Sequence, residues 1–236
     1  MRPTAQSDET TIDEAGGADH RTRNGILRRE QTRRKLMAAA VAVFSQKSPD
    51  AASIDDFIAQ AGVSRGTFYN HFRSTHELLQ AVNAAVSDGV LEVIDKMVLT
   101  FDDPLERIAA GCLAYMSLAI ENRAWGRFIV QVGTQGEAGG KLVDVYLPRD
   151  IEMAAANGDF RFSAMQVAHD AILGGLVRSI QSVILGRTQP DHVRETLMVA
   201  FVGLGVDAER ARRVCWMEVP KLPISGDSDF SALISE

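Results

Sequence analysis

Cysteine is scarce in this chain: Cys112 and Cys215 are the two among 236 residues. Both sit in amphipathic helical patterns. The acidic, polar N-terminal segment has no apolar stretch, so no signal peptide is expected. Two reduced core thiols are therefore expected rather than a disulfide. Long apolar runs are missing as well. No stretch of about 18 apolar residues occurs, so no membrane span is expected. Histidine is limited to His20, His71, His76, His169 and His192, and none falls in a His-Glu-x-x-His pattern. Cys-x-x-Cys and Gly-x-Ser-x-Gly do not occur. The Gly-rich stretch 133–140 has no Gly-x-x-x-x-Gly-Lys order and is no phosphate cradle. Asp150 and Glu152 are two apart on a helical pattern and do not share a face. With no catalytic constellation, the expectation is a protein that is not an enzyme and carries no cofactor and no metal. No internal repeat is found.

Charge is plentiful but unevenly placed. The net charge of −6 alone argues against a nucleic-acid partner. Residues 1–20 carry −4, residues 21–80 carry +5 and residues 81–236 carry −7. A basic head on an acidic body is the footprint of a DNA-binding domain joined to something else. The acidic body also helps confine non-specific DNA contact to the head. At 236 residues the chain has room for that head and a second unit of roughly 150 residues. Its apolar content of 46% is ample for a packed core.

Residues 1–25 are poor in large apolar side chains and read as a flexible arm. Arg28 to Lys35 then lie on the first turns of a helix, because Leu36, Ala39, Ala40, Val43 and Phe44 begin an apolar stripe there. Arg28, Arg29 and Arg33, with the arm, are expected to bind phosphate beside the main DNA site; the alternative is a solvated tail.

The run Ser53 to Leu79 is the most informative. Phe57, Ile58 and Ala61 recur at helical spacing, so Ile54 to Ala61 reads as a helix with one apolar face. Gly62 supplies the positive φ of a helix C-terminus, and Val63 reads as a plug between helices. Ser64 can cap the next helix. Phe68 and Phe72 are four apart and pack inward. Arg65, Thr67, Tyr69, Asn70 and His71 are left mainly on the outer face, all able to donate to phosphate or base edges. Ser74-Thr-His-Glu77 is a capping box that starts a helix at about Thr75. Two short helices around a tight turn form a helix-turn-helix, whose second helix enters the DNA major groove.

The remainder reads as helix after helix: about Thr75 to Met97; a helix capped at Asp103 with Pro104 at its start, to about Asn122; about Ala124 to Val132; and about Lys141 to Ala156, kinked or restarted at Pro148. Ser163-x-x-Gln166 opens a helix to Leu185, closed by Gly186. On it, Ala168, Ile172, Gly175, Ser179 and Ser182 form a stripe of mostly small residues beside an apolar stripe. A helix apolar over so wide an arc buries both faces. With the helix from about Pro190 to Val202, which carries Leu197 and Phe201, it is expected to pair with its copy across a two-fold axis. A monomer is the alternative. Gly205 to Trp216 reads as a short helix capped by Asp207, and residues 219–236 as a partly ordered tail.

Ala61-Gly-Val-Ser-Arg-Gly-Thr-Phe-Tyr-Asn-His-Phe72, followed by Ser-x-x-Glu-Leu-Leu, resembles the TetR/AcrR family of bacterial transcriptional regulators. The resemblance is specific over roughly residues 28 to 80; beyond them it is one of helical layout. It implies an all-α fold: an N-terminal three-helix helix-turn-helix head over residues 26–80, and a helical effector-binding and dimerisation body over 81–218. It also implies that Thr67, Tyr69 and His71 touch DNA, largely its phosphates, with Ser64, Arg65 and Asn70 beside them. The family usually has a phosphate-binding Lys where Thr75 stands, and a small residue where Ile58 stands. The implied partners are a palindromic double-stranded operator, a second copy of the chain and a small-molecule effector. The implied setting is the bacterial cytoplasm, at the nucleoid. Effector candidates, aromatic bulk with a few polar tips, are Tyr115, Met116, Trp125, Phe128, Met165 and His169. Family habit favours a repressor released by its effector. Two rivals stay open: a DNA-bound protein that positions a protein partner, and a small-molecule binder with a vestigial head.

Overall fold

A computed structural model describes residues 13–133 and 145–222, without the side chains of 13–22 and 86–89. The stretch 134–140, the expected helix start at Lys141 and residues 223–236 of the expected tail lie outside the described residues. All regular structure among the described residues is helical. In chain order it runs α1 (Asp13–Phe44), a 3₁₀ turn (Pro49–Ala51), α2 (Ile54–Ala61), α3 (Arg65–Tyr69), α4 (Thr75–Val98), α5 (Pro104–Glu121), α6 (Arg123–Gly133), α7 (Leu147–Ala156), α8 (Met165–Ile184), α9 (His192–Gly203) and α10 (Ala208–Cys215).

Local chemistry sets most of these boundaries. Ser53 and Asp56 form a reciprocal capping box at the start of α2. Lys47 (2.6 Å) and the Ser53 N–H donate to the Asp56 carboxylate and hold its pKa down at about 2. The helix stops at Gly62, whose φ of 62° is left-handed. Ser74 accepts from the Glu77 N–H at the start of α4, and the Glu77 carboxylate accepts from the Arg73 N–H at 2.7 Å. Asp103 accepts from the Leu105 N–H at α5, and Asp207 from the Glu209 and Arg210 N–H groups at α10.

Two of these elements differ from expectation and one settles an alternative. First, α1 extends back to Asp13, so residues 13–25, expected as an arm, are helical. No proline lies between Asp13 and Pro49, so no ring breaks the helix there, while Gly16, Gly17 and Gly25 weaken it. Second, of the kink and the restart expected at Pro148, the restart holds: Pro148 lies in the first turn of α7, where a missing N–H costs nothing. Third, Ser163 does not cap α8: the cap position is Ala164 and makes no side-chain hydrogen bond. Gln166 instead donates to Asp170 one turn on, at 2.7 Å.

The core runs through both halves. α1 packs on α2, α4 and α6, while α5 lies among α4, α6, α7 and α8. A file of aromatic rings follows this path. Tyr115 meets Trp125 edge-on at 6.0 Å, Trp125 stacks on Phe128 at 5.2 Å, and Phe128 lies 6.2 Å from Phe44 of α1. Phe44 then touches Phe57 (5.1 Å), Phe57 stacks on Phe68 (6.5 Å) and Phe68 meets Phe72 (6.1 Å). All seven rings are buried. Cys112 and Cys215 are buried and unbridged. Burial pushes both thiols up to about 12, so they stay neutral.

Candidate nucleic-acid interface and effector cleft

α3 is held by both its ends and its underside. The Ser64 side chain accepts from the Thr67 N–H at 3.1 Å and lies 2.8 Å from the Thr67 hydroxyl. Its oxygen is therefore engaged as the helix cap, although the residue itself is exposed. Phe68 and Phe72 are buried beneath the helix. Tyr69 is 52% exposed, with its ring edge against Phe68. Arg65 and Asn70 are exposed, while Thr67 and His71 are half-buried on the same surface. Arg65 faces Asp55 of α2 at 3.6 Å, an exposed pair of little energetic weight. Val63 and Ile58 are half-buried and pack on the core, the room that Ile58 needs being present. Thr75 opens α4 beside this surface.

α1 supplies the flank. Arg28 and Arg29 are exposed, but Arg33 is half-buried. Its guanidinium carbon lies 4.6 Å from the centroid of Phe72, and its Nη1 is 3.5 Å from the His71 carbonyl oxygen, to which it donates. The His71 imidazole is held below its ordinary pKa, first by burial and then by the charges of Arg29 and Arg33. The ring is therefore neutral at neutral pH in the unbound protein.

In the body, a narrow cleft opens between α4, α5 and α7. Leu91, Ile94 and Val98 wall one side, Ile108, Gly111 and Cys112 the other, with Tyr146 and Leu147 at the rim. At one end sits an ionic group. Arg149 grips Asp150 through two 2.9 Å contacts and reaches Asp95 at 2.9 Å. Arg107 lies 3.9 Å from the same Asp150, which is only 4% exposed. The two carboxylates hold the Arg149 guanidinium well above its ordinary pKa. The cavity volume is about 20 Å³, room for roughly one water, so a ring-sized ligand requires the walls to part.

None of the six effector candidates lines this cleft. Tyr115, Met116, Trp125 and Phe128 are buried in the core, and Met165 and His169 are half-buried near the start of α8. The His169 Nδ1 lies 3.5 Å from Asp170, and its Nε2 is buried without a hydrogen-bond partner. The cleft's ionic group escaped the sequence reading. Asp95, Arg107 and Asp150 come from three helices, and no local spacing joins them.

The stripe expected to meet a second copy needs correction too. Ala168, Ile172, Ser179, Leu197 and Phe201 are buried inside the protomer at 2% exposure or less. Gly175 faces Thr196 of α9 in the same chain, and Ser182 is half-buried. The small residues let α8 approach its own α9. The face left uncovered carries Val167, Ala171 and Gly174 on α8, Leu185 just past its end, and Val199 and Val202 on α9.

Among the described residues, no helix is long and apolar enough to cross a membrane. Comparison with known proteins adds to this geometry. Residues 36–82 match the family described as bacterial regulatory proteins, tetR family, and residues 103–216 match the tetracyclin repressor-like C-terminal domain. The HTH-type transcriptional activator FasR of Mycolicibacterium smegmatis is 32% identical over 104 residues, 44% of this chain and 47% of that one. The HTH-type transcriptional regulator SrpR of Pseudomonas putida is 41% identical over 56 residues, 24% of this chain and 26% of that one. The chain thus spans less than half the length of these curated relatives. The crystal structure of RolR in complex with its ligand resorcinol superposes with a TM-score of 0.65 at 25% identity, over 84% of this chain and 99% of that one.

Proposed function

The chain belongs to the TetR family of bacterial regulatory proteins, a family of transcription regulators and not of enzymes, and from that membership we propose a ligand-responsive transcriptional repressor. It holds a palindromic operator as a homodimer and is released by a small-molecule effector. One observation carries this reading: α4 starts directly behind the recognition helix, and its far end walls the cleft. An effector that prefers a wider cleft tilts α4. The two heads then no longer match their half-sites. A tenfold to hundredfold loss of DNA affinity needs about 1.4–2.8 kcal/mol of such coupling.

Residues 26–80 serve as the DNA-binding unit and 81–218 as the effector and dimerisation unit. Arg65, Thr67, Tyr69, Asn70 and His71 face the DNA, with Arg28 and Arg29 on phosphates at the flank. Ser64 supports them as the cap. The dimer forms through the uncovered α8 and α9 face rather than through the buried stripe. The effector enters the cleft between α4, α5 and α7, with Tyr115, Met116, Trp125 and Phe128 as the packing behind it. Asp95 and Asp150 accept, and Arg107 and Arg149 donate, while Leu91, Ile94 and Val98 cover an apolar ring. That chemistry suits a small hydroxylated aromatic, as does the similarity to a protein solved with resorcinol.

The test is a pull-down of sheared DNA from the source genome with the purified protein, followed by sequencing, with Tyr69→Ala as control. One or a few palindromic sites near promoters, released by resorcinol from the native protein but not from Asp150→Asn, support the reading. Enrichment no better than the Tyr69→Ala control sinks it. Many scattered sites with no small-molecule response point to a DNA-bound protein that positions a protein partner. Transcription from the recovered promoter in vitro fixes the sign, which the similarity to an activator makes worth measuring.

A further inference from the structure

We infer that Arg33 is a positioning residue that clamps the end of the recognition helix, and not one of the phosphate contacts of α1. The inference rests on the reading of the head as a DNA-binding unit. Arg33 differs from its neighbours on α1. Arg28, Arg29 and Arg34 are exposed, whereas Arg33 is half-buried. Its guanidinium lies over the face of Phe72 at 4.6 Å, and its Nη1 points at the His71 carbonyl at 3.5 Å. Both contacts fall just beyond the last turn of α3.

That location matters because α3 has five residues, Arg65–Tyr69. A helix of so few turns has no stability of its own, and its last turn depends on Asn70, His71 and Phe72, whose N–H groups donate to the Gly66 and Phe68 carbonyls. Ser64 fixes the first turn, and Phe68 fixes the underside. The far end is fixed by Phe72, and Arg33 covers the ring of Phe72 while taking up a carbonyl beside it. A cation over an aromatic face is held best where both are partly withdrawn from water, as they are here. The flat guanidinium does two things at once, stacking and donating; a lysine ammonium cannot copy both. The same guanidinium also depresses the His71 pKa, after burial and Arg29.

Salt dependence separates the two roles. Removing a phosphate contact lowers the slope of log affinity against log salt by about 0.9 for each contact. Removing a clamp weakens the fit of α3 to its preferred bases and leaves the slope alone.

The experiment uses the full chain and two probes: a duplex enriched by the native protein from a randomised pool, and a scrambled duplex of equal length. Arg33→Gln and Arg33→Lys are compared with Arg29→Gln, and the His71 ring proton is titrated by NMR in the unbound proteins. Both Arg33 variants are expected to bind the enriched duplex about tenfold more weakly. Their slopes and their affinity for the scrambled duplex stay native, while Arg29→Gln loses slope. The His71 pKa rises in Arg33→Gln and moves less in Arg33→Lys, which keeps the charge. The inference is overturned if Arg33→Lys binds as the native protein does while Arg33→Gln loses slope, since that is a phosphate contact. Native binding of the enriched duplex by both variants also overturns it. If Arg33→Gln fails to fold, Arg33→Lys carries the comparison. If the native protein enriches no sequence, the DNA-binding reading fails by itself. Amide hydrogen exchange at Tyr69 to Phe72 then decides the clamp: faster exchange in both Arg33 variants supports it and native exchange overturns it.

Discussion

His71 lies where the two chemistries of the head meet. Burial and the nearby Arg29 and Arg33 depress its pKa below 6.5 in the unbound protein. A DNA phosphate brought beside it favours the imidazolium and raises that pKa, so binding takes up a proton. Operator affinity is therefore expected to strengthen as pH falls through about 6.5 and to level off below the unbound pKa. His71→Gln should flatten that profile in a binding titration. The fold answers with the opposite sign. With its folded pKa lowered, His71 takes its proton first in the unfolded chain, so stability declines as pH falls through the same window. Residue identity was legible here from the outer-face pattern, but state was not. Exposed Tyr69 and Arg65 are where helical spacing puts them. The Ser64 cap was legible too, being local to its own helix, but Arg33 is stacked on Phe72. That contact depends on which neighbour the fold brings up, which one-dimensional spacing does not carry.

At the scale of elements, the most constrained junction is α5–α6–α8. A Cβ added at Gly126 would collide with the Ala119 carbonyl and with the Ile184 side chain. The carbonyl is backbone and cannot swing aside. Gly126→Ala is expected to cost about 2–3 kcal/mol, read as a lower midpoint in chemical denaturation. Gly174, with nothing near its added Cβ, should accept alanine without such a loss. Element ends were largely readable, because caps and stops are local: Ser53, Gly62, Ser74, Asp103 and Asp207 all act within one turn. The assignment of faces was not. α8 is apolar over a wide arc, and which side meets its own α9 depends on where small residues allow close approach. The cleft was hidden for a related reason. Arg149 meets Asp95 across 54 residues of chain, and Pro148 disguised the turn that presents it.

At the scale of the whole molecule, the uncovered face of α8 and α9 is the surface proposed above for the homodimer. Val199 is 66% exposed, Leu185 54% and Val167 50%, a grouping that marks an association surface. Val199→Asp should convert the dimer to monomer in a sedimentation run at micromolar concentration and remove operator binding while leaving the helical spectrum intact. A native protein that is monomeric at that concentration would rule out this assembly.

α1 has a consequence for how the molecule breathes. It is one helix by hydrogen bonding, but its C-terminal part, Leu36 to Phe44, is packed in the core, whereas residues 23–31 are exposed throughout, including Ile26 at 64% and Leu27 at 56%. Among the described residues that first part buries no side chain, and Gly25 weakens it by about 1 kcal/mol relative to alanine. Hydrogen exchange should divide α1 in two. Amides before about Thr32 should exchange through local opening, and those from Leu36 onward only when the head unfolds as a unit. Deuterium uptake measured with and without operator DNA would show whether the loose part acquires protection on binding. Uniform protection along α1 in the unbound protein would mean that something other than this chain's own core already holds it.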